Sequence, residues 1–293
     1  MANNYKQSSG DRSDGRLIHT LSGFYKAMPY IMKDKNDAQN LYEQSFEISN
    51  AEQWCKQQRQ DGYQGMGMLH LFIASYIRCV SQLPGLNRFV VGRRIYARNN
   101  VEVVMALKRG QSSSSAETKI KVEFEPSDTV YDVYNKINAA VDDVKSSDEG
   151  NSAEDFADRL AKLPRFLVRF ILWLISVADY FGILPKRILN KSPFHGSMII
   201  TDLGSMGVSP ISRHLYNFGT IPFFISLGSR YRKNELNLNG NPVECKYVDA
   251  KFAMDERTVD AHYYASVFKL MSELIQDPSQ LEVTPEIVKE DIF

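Results

Sequence analysis

Phe252-Ala253-Met254-Asp255-Glu256-Arg257-Thr258-Val259-Asp260-Ala261 joins a strand to a helix, and its reading sets the fold class. Lys246–Met254 leads into it with strand-like character. From about Ala261 to Gln276, Tyr264, Val267, Phe268, Met271 and Leu274 follow the i, i+3, i+4, i+7 pattern of a helix laid on a sheet. Asp277-Pro278 follows that run.

Strands and helices interleave upstream of this junction. Ser197–Thr201 and Ile221–Leu227 are strand candidates. Val101–Leu107 and Thr118–Glu125 are stronger ones, the second alternating Ile120, Val122 and Phe124 with Lys119, Lys121 and Glu123. A flexible turn is expected over Gly110–Ser115. Phe89–Val91 and Ile95–Ala97 form a short pair bent around Gly92-Arg93-Arg94. Leu41–Ile48 reads as a half-buried strand. Ser49-Asn50-Ala51-Glu52 has the spacing of a capping box, which opens a helix to about Gln60 before Asp61-Gly62. Met68–Leu83 is apolar nearly all round, as a core helix is, and Pro84-Gly85 ends it. Asp128 or Thr129 caps a helix to about Val144, with Val130, Val133, Ile137 and Val141 on one stripe. The class expected is an α/β (α+β) sandwich with a mixed sheet, packed helices and a helical insert at about 150–195.

At 293 residues, one domain over 16–293 behind an unstructured arm of residues 1–15 accounts for the chain. Lys+Arg and Asp+Glu both number 35, so no net field favours nucleic acid. The 3 cysteines have no zinc or redox spacing, and no apolar signal core opens the sequence, which together suggest a cytoplasmic protein. Leu163–Leu184 approaches the length of a bilayer span, but Arg165, Arg169 and Asp179 interrupt it. Asp179 is too far along a helix from either arginine to pair with it. A buried or partner-facing helix is therefore expected in preference to membrane contact.

The ordered set of segments resembles the chloramphenicol acetyltransferase-like fold, and most closely the catalytic domain of the 2-oxoacid dehydrogenase dihydrolipoyl acyltransferases. Phe46-Glu47-Ile48 and the helix after it are similar to the family's TVEVD start, and Leu83–Asn87 to its PELN turn. Ser197–Gly207, SMIITDLGSMG, is similar to FTISNLGMFG, and Pro222–Gly228 to PPQAAILGVG. Asp255–Ala261, DERTVDA, is similar to DHRVVDG, with Glu256 in the place of the histidine and Ala261 in that of the glycine. The resemblance covers roughly residues 20–280 in patches and implies a bare core without a lipoyl domain.

That resemblance implies a homotrimer whose channels between subunits admit an acyl-coenzyme A donor and a small acceptor from opposite ends. No permanently bound cofactor or metal is implied, only a coenzyme A thioester as co-substrate. Carried over, Glu256 takes the base position and Thr201 that of the hydroxyl donating to the oxyanion. Asp260 is the motif aspartate, expected to pair with Arg257. General acid–base catalysis contributes about 10²–10⁴-fold, and a glutamate of ordinary pKa near ~4.3 needs desolvation to replace a histidine. A modified acyltransferase and a silent homologue serving as an assembly or binding module therefore stand as alternatives.

His214, in the loop after the Thr201 motif, is a second source of an imidazole, against the plainer reading of a surface or packed loop residue. His262 reads as structural and His70 as a satisfied core residue, while His19 and His195 show no partner pattern. The five histidines make no recognisable metal spacing. Gly62–Gly67, GYQGMG, lacks the spacing and preceding strand of a dinucleotide loop. Gly92-Arg93-Arg94 and Arg98 read as a solvated hairpin before a coenzyme phosphate grip. Ser229, Arg230 and Arg232 are the better candidates for coenzyme phosphates. The insert, from its apolar length and its place before the Thr201 strand, is expected to lengthen or cap the channel for a bulkier or more apolar acceptor.

Overall fold

The computed structural model describes residues 10–108, 117–146, 160–236 and 239–291. Its first elements are β1 (Gly15–Leu17), α1 (Gly23–Ile31), β2 (Gln39–Glu47), α2 (Ser49–Gln60) and α3 (Met68–Gln82). Then come β3 (Arg88–Val91), β4 (Arg94–Arg98), β5 (Val101–Lys108), β6 (Glu117–Phe124) and α4 (Val130–Ser146). The insert supplies α5 (Arg165–Tyr180) and α6 (Lys186–Lys191). β7 (Met198–Asp202), β8 (Phe223–Leu236), β9 (Pro242–Asp255) and α7 (Ala261–Gln276) complete the chain.

Six strands form one mixed sheet in the order β2-β9-β8-β7-β5-β6, and β1-β4-β3 form a smaller one. β7 lies parallel to both β5 and β8, while the other neighbours in the large sheet are antiparallel. Alternation along the strands separates the two faces. Met105, Ile200, Ile225 and Phe252 point into the main core beneath α2, α3, α4 and α7. Val104, Ile199, Phe224 and Ala253 point the other way, into a smaller core closed by Leu215 and Ile221. Thus the loop 208–221 lies as a strap over the face that the helices leave open. At Gly228 the strap comes so close that a Cβ would sit 2.3 Å from Pro210 Cδ.

The Gly92-Arg93 turn has φ of 57° and 59°, and Val91 faces Arg94 across it. Two left-handed residues between paired strands make the hairpin turn whose twist suits the strands.

Several expectations change. The capping box at Ser49 does not form. Ser49 Oγ accepts from the Lys246 N–H at 3.0 Å, and Glu52 pairs with Lys246 and Arg230. The reciprocal cap occurs instead at α4, where the Thr129 N–H donates to Asp132 Oδ2 at 2.9 Å and the Asp132 N–H to Thr129 Oγ1 at 3.3 Å. Residues 10–15, expected within the arm, are held by the fold, because Arg12 is buried against Asp14 and Asp179. The expected 110–115 turn lies outside the described residues, as does most of the expected 145–153 linker. The insert helix α5 is not buried, since Asp179 is its one buried residue.

Candidate functional site

Thr201 ends the run Met198-Ile199-Ile200-Thr201 on the strap face of β7. Ile200 faces the helices, so alternation turns Thr201 the other way, level with Ser226 of β8 and Lys251 of β9. The Ser226 hydroxyl accepts from the strap's Ile211 N–H at 3.2 Å. The Thr201 hydroxyl is buried and has no hydrogen-bond partner. Leaving such a group unpaired costs about 1–3 kcal/mol, so the hydroxyl is poised to donate to a further acceptor.

Glu256 stands just past the end of β9. Its backbone N–H donates to Ala38 O at 2.9 Å, and its side chain is half-buried. Lys251 is level with Thr201, and Glu256 lies five residues beyond Lys251 and two strands away from β7. With about 3.3 Å per residue and 4.8 Å per strand, Glu256 and Thr201 of one chain are roughly 15–20 Å apart. A single protomer does not bring them together.

The other expected residues divide between the surroundings of Thr201 and those of Glu256. His214 is exposed on the strap, edge-on to Tyr216. It lies toward the Glu256 end, because the N–H of the adjacent Leu215 donates to Gln39 Oε1 at 3.1 Å and Gln39 pairs with Asp255. Asp260 is exposed and caps α7, accepting from the Tyr263 N–H at 2.8 Å and from the Tyr25 hydroxyl at 2.8 Å. Those two donors, the backbone one foremost, hold its carboxyl below the usual range.

Arg257 does not pair with Asp260. Its guanidinium grips the fully buried Asp255, Nε to Oδ1 at 2.8 Å and Nη2 to Oδ2 at 2.7 Å. The turn itself decides this, since the Arg257 N–H also donates to Asp255 Oδ1 and draws the side chain back over the strand end.

Ser229 and Arg230 line a cleft of about 460 Å³ with Asp202, Gly204, Gly207 and Gly228 at the Thr201 end. Arg230 is bound to Glu52 at 3.0 Å and Arg232 to Glu244 at 3.1 Å, so neither is a free cation. Arg98, weighed as a second phosphate grip, is buried between Asp14 and Glu102.

A buried polar cluster went unread in the sequence. His195 places Nδ1 2.7 Å from Ser192 Oγ and Nε2 3.3 Å from Asp179, while Arg12 holds the same carboxylate at 2.7 Å. Burial alone would raise the Asp179 pKa, but the hydrogen bond from His195 and the charge of Arg12 outweigh it and hold it low. With its side chain only 2% exposed, His195 fastens the insert to the turn before β7 instead of meeting a substrate. Ser192-x-x-His195 was the one local signal for it.

Beside this cluster a cavity of about 250 Å³ is lined by Lys35, Asp179 and Arg257. Lys35 is buried and donates to Gly219 O at 2.5 Å, and burial pulls its pKa down to about 7. His70 is neutral for the same reason, its pKa pulled down to about 4 by burial. Its Nδ1 accepts from the Gly67 N–H at 3.3 Å, while Nε2 is buried without a partner.

No family model and no curated protein matches the sequence. Solved structures do match. A probable dihydrolipoamide acetyltransferase from Listeria monocytogenes is similar over 96% of this chain and 100% of its own, at a TM-score of 0.56 and 11% identity. The cubic core of a pyruvate dehydrogenase multienzyme complex is similar over 93% and 95%, at 0.58 and 10%. The fold is that of chloramphenicol acetyltransferase. That enzyme matches over 89% of this chain and 99% of its own, at 0.54 and 9%. The chloramphenicol acetyltransferase-like fold and the mixed-sheet sandwich read from the sequence are therefore correct; at these identities the likeness extends to the fold alone.

Proposed function

We propose that the protein transfers an acyl group from a coenzyme A thioester to a thiol or hydroxyl acceptor, at sites shared between protomers of a homotrimer. The observation that carries this is the buried, unpartnered Thr201 hydroxyl, set two strands across the sheet from Glu256 and level with a residue five positions before it. Only a neighbouring copy can bring a second Glu256 to it.

In the reaction the Glu256 carboxylate removes the acceptor's proton. The freed sulfur or oxygen attacks the thioester carbonyl. The resulting oxyanion accepts a hydrogen bond from Thr201, which removal of an oxyanion donor elsewhere shows to be worth about 10²–10³-fold in kcat. Collapse breaks the carbon–sulfur bond, and the coenzyme thiolate takes the proton back from Glu256.

The test is transfer from acetyl-coenzyme A to dihydrolipoamide and to apolar thiols by wild type, Thr201→Val and Glu256→Gln. Each variant is expected to lose about 10²-fold or more in kcat. Equal rates in all three sink the proposal. The pairing of Arg230 and Arg232 with glutamates, which removes the cations expected to hold the coenzyme phosphates, favours a second reading, a silent assembly module. The same measurement separates the two.

A further inference from the structure

The reaction leaves α5 unused. Phe166, Phe170, Trp173 and Leu174 fall on one side of it at i, i+4, i+7, i+8, a single helical face. That face is open: Phe166 is 69% exposed and Trp173 58%, and Phe170 stacks on Trp173 with 6.0 Å between centroids. Phe181 and Ile183, 70% and 71% exposed, extend it past the helix end. The opposite side, through Val168, Ile171 and Ile175, is half-buried, and Asp179 anchors the helix through Arg12 and His195.

Within the described stretch 160–191 the exposed charges have one sign. Arg165 and Arg169 run beside the aromatic stripe, Lys162 precedes it, and Lys186, Arg187 and Lys191 follow it, all exposed. Within residues 160–191 the one acid is Asp179, which is buried and paired. The acids at 148, 149, 154, 155 and 158 precede this stretch in the sequence, outside the described residues.

We propose that α5 lies in the surface of an anionic bilayer, its aromatic face among the acyl chains, with its own two arginines and the four cations that flank it among lipid phosphates. The juxtaposition of an open aromatic stripe with six exposed cations in the same stretch carries the inference. Interfacial helices combine such a face with flanking Lys and Arg, whose stems lie along the apolar boundary while their heads reach the phosphates. Spanning is excluded by length: 16 residues reach about 24 Å, short of a hydrocarbon core of about 30 Å. Accordingly, no helix among the described residues is long and apolar enough to cross a membrane. A second copy packed on this face through a two-fold axis would set identical cations against one another, and like charges in close juxtaposition are unfavourable. The exposure of α5 overturns the buried half of the sequence-based expectation, and the proposal stands whether or not acyl transfer does.

The experiment is co-sedimentation of the full chain with phosphatidylcholine vesicles, with and without phosphatidylglycerol. Binding is expected with phosphatidylglycerol only, weakening as salt rises. Arg165→Gln with Arg169→Gln should lower the partition roughly thirtyfold, from about 1 kcal/mol per cation at the surface. Trp173→Glu should abolish it, with circular dichroism showing the fold retained. In a Trp54→Phe background, the fluorescence of Trp173 should shift to the blue on binding. No binding to either vesicle overturns the proposal. So does salt-independent binding to the neutral vesicles, or self-association that Trp173→Glu removes in the absence of lipid.

Discussion

At the scale of single residues, the turn after β9 shows what local sequence conveys and what it hides. DERTVDA was legible as a strand end and helix start, but the partner of Arg257 was not. Asp255 and Asp260 are both within reach along the chain, and only the three-dimensional turn, with the Arg257 N–H already on Asp255, selects between them. Because Asp255 is fully buried, removing Arg257 strands a charge in the interior. Arg257→Met is expected to lose about 3–5 kcal/mol in urea unfolding, and adding Asp255→Asn should restore much of that. Lys35 gives a prediction in pH. Burial lowers its folded pKa to about 7, against about 10.4 in an unfolded chain. Between those values the unfolded state binds the extra proton, so stability rises with pH through this window and falls as pH drops toward 7. Lys35→Met should flatten that rise, whose slope is at most about 1.4 kcal/mol per pH unit. Equal slopes for wild type and variant from pH 7 to 10 would show that Lys35 does not titrate there.

At the scale of elements, hydrophobic spacing placed α3, α7 and the paired strands because each meets one uniform partner, the sheet or the core. Caps were less legible. Ser49-x-x-Glu52 and Thr129-x-x-Asp132 offer similar local chemistry, yet the first is drawn off by Lys246 and Arg230 on the neighbouring strands. Thr129 keeps its hydroxyl for Asp132 and the cap forms, while Asp128 pairs with Lys136. Asp179 and His195 escaped for the converse reason, since Arg12 lies 167 residues from Asp179 and no spacing rule joins them. The strap 208–221 had no periodicity to read. Its position rests on Gly228, where Pro210 occupies the place a side chain would take. Gly228→Ala should push the strap away from Ser226 and Thr201, lowering activity while the helix-side core stays intact. Faster hydrogen exchange at Ile211 with little change in α3 is the expected record, and unchanged exchange at Ile211 would count against it.

At the scale of the whole molecule, one sheet holds two chemically interesting positions and keeps them apart. Met198–Asp202 run parallel to β8 while β9 returns antiparallel, so the Thr201 hydroxyl lies two strands across from β9 and level with Lys251, five residues before the Glu256 carboxylate. Their shared role was suggested by the resemblance of two sequence stretches, and nothing in either stretch alone reveals the separation between them. If each site takes Thr201 from one protomer and Glu256 from the next, two inactive variants complement each other. Thr201→Val and Glu256→Gln chains, unfolded and refolded together in equal amounts, place both intact residues at one junction with probability one half times one half. Roughly a quarter of wild-type activity should return in the mixture, against the 10²-fold or greater losses of the separate variants. A site built within one protomer gives no such recovery, because every chain then carries one defect or the other. Recovery that grows with refolding concentration further requires association, as a composite site demands.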